Sequence, residues 1–272
     1  ELFSRAIDEN KTLDASSIYD MRRAIDSMSR RWGATFSIGH SNMAAAGVSV
    51  PGAAGRDLRV VQAGAEVSYT PESFGFRDGR LFQWYANAFQ ALSANDPGYS
   101  IGADSRVLGF GARYKPLREH YLMLGIERRV SSSPAELDDW LARAAFSASR
   151  QTDWNPTRDS WTTWQFYTES VYFLEAHRLI QPFDARLGQS WKLAAWHGAV
   201  ATPYVGVAGE YDKAQNPRMA AGIGPGIALR YWYGETEHRA FPRRVDFSMQ
   251  YRFRLTEARR GGGLFALLSV SF

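Results

Sequence analysis

Apolar residues recur at every second position through most of this chain. In the clearest case, residues 244–255, Val, Phe, Met, Tyr, Phe and Leu alternate with Arg, Asp, Ser, Gln, Arg and Arg. Such a period places the apolar and polar residues on opposite faces of a β-strand. The segment is long for a soluble strand of about 5 to 6 residues and suits a tilted membrane strand of about 9 to 11. It therefore predicts a strand that crosses a membrane.

The same period, less strictly kept, marks eleven further segments. The candidate strands are residues 32–38, 60–69, 82–91, 107–115, 122–130, 140–148, 164–174, 183–193, 203–211, 222–233, 245–255 and 263–272. An even number of strands is typical of bacterial outer-membrane barrels. We therefore predict an all-β fold, a transmembrane antiparallel β-barrel of about 12 strands (range about 10 to 16). The barrel is expected to occupy residues 31–272.

The last candidate strand ends on an aromatic residue. Its outward face is predicted to carry Leu264, Ala266, Leu268, Val270 and Phe272. This ending resembles the assembly signal of bacterial outer-membrane barrels, which implies recognition by the barrel-assembly machinery. We expect this strand to close the barrel against residues 32–38. Its opposite face, with Gly263, Ser269 and Ser271, is expected to leave the lumen unobstructed at the seam.

Residues 1–30 have a helical period instead. Apolar residues recur at spacings of three and four between Leu2 and Ile7, and again between Ile18 and Met28. The pattern predicts two short amphipathic helices, with Asp14 or a following serine capping the second. This lead-in is similar to the last unit of a tetratricopeptide-like array. A helix that simply leads into the barrel explains the pattern equally well.

Composition and charge narrow the class of protein. The mean hydropathy is −0.35, and no apolar run approaches the roughly 20 residues of a spanning helix. The absence of cysteine excludes disulfides and thiolate metal sites, and nothing in the sequence predicts a metal or another cofactor. The net charge of +4 comes from 32 basic and 28 acidic residues. Because these charges are dispersed, nucleic-acid binding has no support.

Charged residues fall largely on the face opposite the apolar one. A charge that faces hydrocarbon at the bilayer midplane costs about 2 to 4 kcal/mol, so these residues are expected to point inward. The predicted lumen lining is Glu66, Tyr85, Arg113, Glu127, Arg129, Arg143, Glu169, Asp184, Arg186, Lys192, Glu210, Arg230, Asp246, Arg252 and Arg254. Any single one of them is better explained as part of a wall-bracing ion-pair network than as a ligand contact. Together they predict a polar, hydrated conduit suited to saccharides.

Small residues on the same face have a related interpretation. Gly109 and Gly111, and the glycines of residues 222–226, would leave room for a plug. The plug would be formed by residues 1–30 or by a surface loop.

Aromatic residues recur near the ends of the candidate strands, as at Trp32, Tyr69, Trp164, Trp191 and Tyr233. In a barrel, such rings lie at the level of the lipid headgroups. In a soluble β-sandwich, the same residues would form the core. The alternation of the last strand favours the membrane.

Catalysis is not predicted. Outer-membrane lipases and lipid A deacylases use Ser and His projecting from the barrel wall, and two residues at a spacing of two point the same way on one strand. None of the five histidines has a serine at that spacing, and neither Gly-x-Ser-x-Gly nor His-Glu-x-x-His occurs. We predict a protein that is not an enzyme, with an outer-membrane lipid-modifying enzyme as an alternative.

The helical lead-in and the segments at residues 31–37, 204–211 and 244–255 resemble the C-terminal outer-membrane domain of NfrA-type bacteriophage adsorption proteins. The resemblance implies export of an exopolysaccharide through an outer-membrane barrel, with surface loops that serve as a phage receptor. Implied partners are outer-membrane lipid and lipopolysaccharide, the polysaccharide, a phage tail protein and an inner-membrane glycosyltransferase. Related cellulose and poly-N-acetylglucosamine exporters share this plan. The alternative is a membrane anchor and surface receptor with a closed lumen.

Overall fold

The computed structural model describes residues 13–41, 59–95, 99–132 and 138–272, together with Ser4 and Ile7. They form helix α1 (Ala15–Ser29) and strands β1 (Trp32–Ser41), β2 (Val60–Tyr69), β3 (Phe76–Arg77), β4 (Arg80–Ala94), β5 (Val107–Lys115), β6 (Tyr121–Ser131), β7 (Asp139–Arg150), β8 (Ser160–Phe173), β9 (Arg178–Lys192), β10 (Ala199–Asp212), β11 (Met219–Tyr233), β12 (Arg243–Arg254) and β13 (Gly263–Ser271). Two short 3₁₀ turns cover Gly102–Ser105 and Arg259–Gly261. Within these residues, no helix is long and apolar enough to cross a membrane.

Twelve of the strands close into an antiparallel barrel. From β4 to β13 each strand pairs with the next, β13 pairs with β1, β1 with β2, and β2 with β4. The alternation in the sequence therefore predicted the fold and all twelve barrel strands correctly. The additional strand β3 pairs with β4 and is too short to produce a period in the sequence.

The predicted seam between the last strand and the first is confirmed. Ile38 lies opposite Leu268, and Thr35 opposite Ser271. The rings of Phe36 and Phe272 contact each other across the seam at a centroid distance of 6.2 Å. Because every strand of the closed ring has two neighbours, its backbone donors and acceptors are satisfied without water.

Large apolar side chains are exposed on the outer face of the barrel. Examples are Phe110 on β5, Leu187 on β9, Val205 on β10 and Phe253 on β12. In each strand, they alternate with residues that point inward, because successive side chains of a strand lie on opposite faces. The barrel thus presents an apolar outer surface and a polar inner one, the arrangement of a barrel embedded in lipid.

Helix α1 and the end of β13 lie at the same end of the barrel, which we call the helix end; we call the opposite end the far end. The far-end connections are residues 42–59, 95–106, 132–138, 174–177, 213–218 and 255–262. Residues 42–59 form the longest of them. Residues 42–58, 96–98 and 133–137 lie outside the described residues, so the structure of these three connections is described only in part.

The predicted second helix is confirmed as α1, whereas the first lies almost wholly outside the described residues. The Asp14 carboxylate caps α1 by accepting a hydrogen bond from Ser17 N at 2.7 Å, as expected for an N-cap. Tyr19 is buried in an apolar cluster with Trp161, Val200, Trp232, Ala240 and Phe241. Trp161, Val200 and Trp232 lie at the helix end of β8, β10 and β11. Helix α1 therefore covers that side of the barrel mouth.

Ion pairs also tie α1 to the connections at the helix end. Arg22 Nη1 lies 2.7 Å from Glu235 Oε1, and Arg23 Nη2 lies 2.8 Å from Asp153 Oδ2. Arg30 donates a hydrogen bond to the Pro242 carbonyl. These pairs are partly exposed, so each contributes little free energy. The buried Tyr19 ring is the main apolar anchor of the helix.

The docking of α1 is expected to weaken at alkaline pH. Burial, and next the charge of Asp153, raises the pKa of the Tyr19 phenol in the docked state above its ordinary value. The contribution of Tyr19 to docking is therefore complete below about pH 10, the ordinary pKa of tyrosine, and decreases as the pH rises further. Hydrogen exchange of α1 after brief exposure to each pH measures this loss.

Tyr19→Phe is the matched control for this pH dependence. Its ring keeps the apolar contacts but cannot ionise, and it loses only the interaction of the phenol with the partly exposed Asp153. We expect Tyr19→Phe to dock as well as the wild type at neutral pH and to remain docked at higher pH. If α1 loses its protection from hydrogen exchange at the same alkaline pH in the wild type and in Tyr19→Phe, ionisation of the Tyr19 phenol is not the cause.

Candidate functional site: the barrel interior

A cluster of buried charges fills the interior beside β4 to β8. We call Tyr85, Asn87, Glu127, Arg129, Arg143, Tyr167 and Glu169 the Glu127 cluster. The Glu127 carboxylate accepts hydrogen bonds from Tyr85 Oη at 2.9 Å and Asn87 Nδ2 at 3.2 Å. It also pairs with Arg129 at 3.2 Å and with Arg143 at 2.8 Å. Glu127 and Arg129 are only 0% and 1% exposed, so side chains and not water surround them.

Arg143 joins the two carboxylates of this cluster. Its Nε lies 2.7 Å from Glu169 Oε1, while its Nη1 contacts Glu127. Tyr167 Oη donates a second hydrogen bond to Glu169 at 3.0 Å. The partners come from β4, β6, β7 and β8, so the cluster braces a third of the wall from inside.

Two glycines provide the space for the Glu127 cluster. A Cβ atom on Gly109 would lie 2.8 Å from Glu127 Oε1, and one on Gly111 would lie 2.9 Å from the Tyr85 ring. Both distances are shorter than side-chain atoms tolerate. The room that these glycines provide is thus taken by the buried side chains of the wall, and not by a separate plug.

A second cluster lies beside β9 to β13. We call Asp184, Arg186, Tyr204, Gln250, Arg252 and Phe265 the Asp184 cluster. Asp184 contacts Arg186 Nε at 2.7 Å and, across the interior, Arg252 Nη2 at 3.7 Å. Arg186 lies over the Tyr204 ring at 4.9 Å, and Arg252 over the Phe265 ring at 4.0 Å. Because β9 and β12 are not neighbours in the ring, the contact between Asp184 and Arg252 crosses the inside of the barrel.

The far end of the barrel holds further buried pairs. Arg260, from the connection after β12, donates to Glu210 Oε1 at 2.9 Å. Arg178 makes a two-pronged contact with Asp212 at 3.0 and 2.6 Å. The Asp139 carboxylate accepts hydrogen bonds from the backbone N–H groups of Glu175 and Ala176. The charged side chains of Arg178, Glu210, Asp212 and Arg260 are therefore held in pairs at the far end.

The helix half of the interior contains two cavities. The mouth cavity, of about 600 Å³, lies between α1 and the inner wall beside Glu66, Gln83 and Arg113. The inner cavity, of about 390 Å³, is lined by side chains that include Tyr167, Asp184, Arg186, Arg230 and Asp246. Arg244 lines both, so the two cavities adjoin. The barrel thus encloses a polar space at its helix end, while the described residues toward its far end include several buried ion pairs.

The residues predicted from sequence to line the lumen fall into four groups. Tyr85, Glu127, Arg129, Arg143 and Glu169 meet in the Glu127 cluster, and Asp184, Arg186 and Arg252 meet in the Asp184 cluster. Glu66 pairs with Arg113 at 2.8 Å, and Arg230 pairs with Asp246 at 3.0 Å. The remaining three do not join these groups. Lys192 Nζ lies over the Trp154 ring, Glu210 pairs with Arg260, and Arg254 is exposed at the far end of β12.

The predicted lining omits several aromatic residues of the interior. Phe173 stacks under Arg129 at 5.5 Å, and Tyr204 and Phe265 stack under arginines of the Asp184 cluster. Aromatic residues also lie on the outer face, so hydropathy alone does not separate the two sets. These residues could have been found from their positions, because each lies on the same face of its strand as the charged residues of that strand or of a paired strand.

The expectation of an unobstructed lumen at the β13 seam holds toward the helix end, where Ser269 and Ser271 line the cavities, but not at Phe265. Gly263, Ser269 and Ser271 do lie opposite inward residues of β12, but so do Phe265 and Leu267. Phe265 is buried against Arg252. The run from Leu264 to Leu268 is apolar at every position; of its inner members, Phe265 is buried and Leu267 lines the inner cavity.

Metal-ligating groups are not gathered in the part of the chain that the structure describes. There, no group of three or more His, Asp or Glu side chains could hold a metal ion.

A closed antiparallel barrel with an apolar outer face and a charged interior defines this chain as a β-barrel of the bacterial outer membrane. The family model described as Bacteriophage N adsorption protein A C-term matches residues 98–268. The chain belongs to this family.

Comparison with known proteins agrees with this assignment. The chain is 26% identical over 266 residues to the Bacteriophage adsorption protein A of Escherichia coli strain K12. The alignment covers 93% of this chain and 26% of the relative, so the chain spans about a quarter of that protein.

Among solved structures, an outer membrane channel from Pseudomonas putida F1 has a TM-score of 0.46 at 8% identity, with 89% of this chain and 94% of that chain covered. A bacterial polysaccharide outer membrane secretin has a TM-score of 0.40 at 12% identity, with 89% and 98% covered.

Proposed function

We propose that this barrel anchors its protein in the outer membrane and presents the far-end connections as a bacteriophage receptor, with a lumen closed toward the cell surface. In this proposal, the helix end faces the periplasm. The observation that carries it is the set of buried ion pairs toward the far end, where Glu127 and Arg129 are fully buried. A barrel closed in this way offers its connections, and not a pore, to the outside.

The name of the Escherichia coli relative, Bacteriophage adsorption protein A, supports the receptor role. The longest connection at the far end, residues 42–59, is the first candidate for phage contact because it offers the most chain beyond the membrane. A phage tail protein would be the partner. Lipid and lipopolysaccharide would surround the apolar outer face, and the barrel-assembly machinery would recognise the face formed by Leu264, Ala266, Leu268, Val270 and Phe272.

Replacement of far-end connections tests the receptor role. We expect a short Gly-Ser segment in place of residues 42–58 to reduce phage adsorption to cells at least tenfold, while the barrel still assembles. The matched control replaces the helix-end connection at residues 116–120, which should leave adsorption unchanged. Heat-modifiable gel migration shows that both variants fold. If both adsorb phage as the wild type does, the receptor role of this connection is wrong.

Export of a polysaccharide is the second candidate function, and the mouth and inner cavities favour it. Serines and arginines line this space, which opens beside α1 and offers hydrogen-bond donors to a hydrated chain. Transport would require the Glu127 and Asp184 clusters to rearrange, because they occupy the path to the far end. An inner-membrane glycosyltransferase would then supply the polymer, and residues 1–30 would connect the barrel to an upstream periplasmic array.

Conductance in planar bilayers separates the two functions. A silent wild-type barrel supports the closed anchor, whereas a stable current that saccharide blocks supports export. The double variant Arg143→Ala with Glu127→Ala is expected to raise conductance, because it removes the centre of the packed region.

A further inference from the structure

Two arginines share one carboxylate where the mouth cavity and the inner cavity adjoin. Arg230 Nε lies 3.0 Å from Asp246 Oδ1, and Arg244 Nε lies 2.5 Å from Asp246 Oδ2. One negative charge therefore balances only half of the positive charge at this position. The side chain of Arg244 is 45% exposed and lines both cavities.

The same imbalance recurs at the β9 side of the inner cavity. Asp184 serves both Arg186 and Arg252, at 2.7 and 3.7 Å. The charged residues that line the inner cavity are Asp184, Arg186, Arg230, Arg244 and Asp246. Three guanidinium groups thus face two carboxylates, one of which is shared with a further arginine. In a cleft whose walls have a low dielectric constant, such an excess attracts an anion more strongly than the same charges would on an open surface.

The paired charges of the mouth cavity differ from this arrangement. There, Arg30 lies 2.5 Å from Asp26, and Arg113 lies 2.8 Å from Glu66. Arg23, at the edge of this cavity, pairs with Asp153. Each of these arginines has a carboxylate to itself, so the excess positive charge is concentrated around Arg230 and Arg244.

Neutral donors complete the inner cavity. It is lined by the serines Ser147, Ser149, Ser248 and Ser269, whose hydroxyls can each donate one hydrogen bond. Arg230 is held in place by the Thr152 carbonyl at 2.5 Å and by Gln165 Oε1 at 3.4 Å. A guanidinium has five N–H donors, so Arg244 has donors beyond the Nε that contacts Asp246.

We propose that the inner cavity is a binding site for an anionic group, a carboxylate or a phosphate, which Arg244 and Arg230 hold in competition with Asp246. Guanidinium groups recognise such planar or tetrahedral anions by charge-assisted hydrogen bonds. The anion enters from the helix end past α1. It is either a free ion or the acidic group of a saccharide unit, and the site does not depend on the receptor role of the far end.

Calorimetric binding to the full-length protein in detergent micelles tests the proposal with three probes. Inorganic phosphate and trigalacturonate carry the anionic group, and maltotriose is the neutral saccharide. Binding of trigalacturonate that is stronger than that of phosphate identifies a saccharide as the source of the anion, whereas equal binding identifies a free ion. Both binding constants should fall as salt rises. Equally strong binding of maltotriose would overturn the proposal.

Three variants make the assignment specific. Arg244→Gln should weaken anion binding about tenfold, the loss of one charge-assisted contact. Asp246→Asn should strengthen it about tenfold, since it removes the competing carboxylate. Arg254→Gln, on the same face of β12 but at the far end, should change nothing. If Asp246 had only a structural role, its replacement would not increase the affinity for the anion. An unchanged or weaker affinity of a folded Asp246→Asn protein would therefore also overturn the proposal.

Discussion

Glu127→Ala is expected to lower the free energy of unfolding of the barrel by about 3 to 5 kcal/mol, the cost of breaking buried ion pairs by removing the carboxylate they share. The variant removes the carboxylate that Arg129 and Arg143 share, and it also leaves Tyr85 Oη and Asn87 Nδ2 without their acceptor. Glu169 still compensates Arg143, while the pair between Arg129 and Glu127 is lost. Reversible urea unfolding in lipid vesicles, followed by tryptophan fluorescence, measures the change.

Glu66→Ala is the matched control for this prediction. Glu66 also points inward and also pairs with an arginine, Arg113, at 2.8 Å, but its side chain is 32% exposed. Water screens such a pair, so we expect its loss to cost about 0 to 1 kcal/mol. If the two variants unfold at the same urea concentration, the buried contacts of Glu127 contribute no more to the free energy of unfolding than the exposed pair of Glu66. The Glu127 cluster would then not stabilise the barrel.

The sequence predicts the wall of this barrel much better than its interior. Strand positions follow from the period of two, which depends only on neighbouring residues. The period is recognisable even where a strand contains a proline, as β11 does at Pro225. Seam closure follows from the even strand number. Which charges pair does not follow, because Asp184 and Arg252 come from strands that meet only across the closed ring.

The packing of side chains in the lumen also cannot be predicted from the sequence. Phe265 lies between Leu264 and Ala266, so the period of two places it inward, but its apolar ring does not distinguish it from the lipid-facing residues beside it. Its inward position is fixed by its pairing opposite Gln250, a property of the folded sheet. The same pairing places the Phe265 ring against Arg252 inside the barrel. A polar lining therefore indicates which face is inside, and not whether a path runs through it.

Leu268→Arg is expected to destabilise the barrel by about 2 to 4 kcal/mol, the cost of an arginine on the lipid face near the bilayer midplane. Leu268 lies in the middle of β13, opposite Ile38 on β1 and Phe247 on β12, and its side chain is 39% exposed on the outer face. The arginine would also lie within the face that we propose as the assembly signal. Cells should therefore contain less of the heat-modifiable, folded form, and urea unfolding should measure the loss of stability.

Leu267→Arg is the decisive comparison, because its side chain is adjacent in sequence but lies on the other face. Leu267 is opposite Ser248 on β12 and lines the inner cavity near Asp246. An arginine there adds to the positive charge of the inner cavity but faces polar space and not hydrocarbon, so we expect less destabilisation than at position 268. The reverse order would mean that protein packs against the outer face and that the interior is the apolar side. Since the two variants differ only in the face that receives the charge, their difference in unfolding free energy measures what the outer face of the barrel contacts.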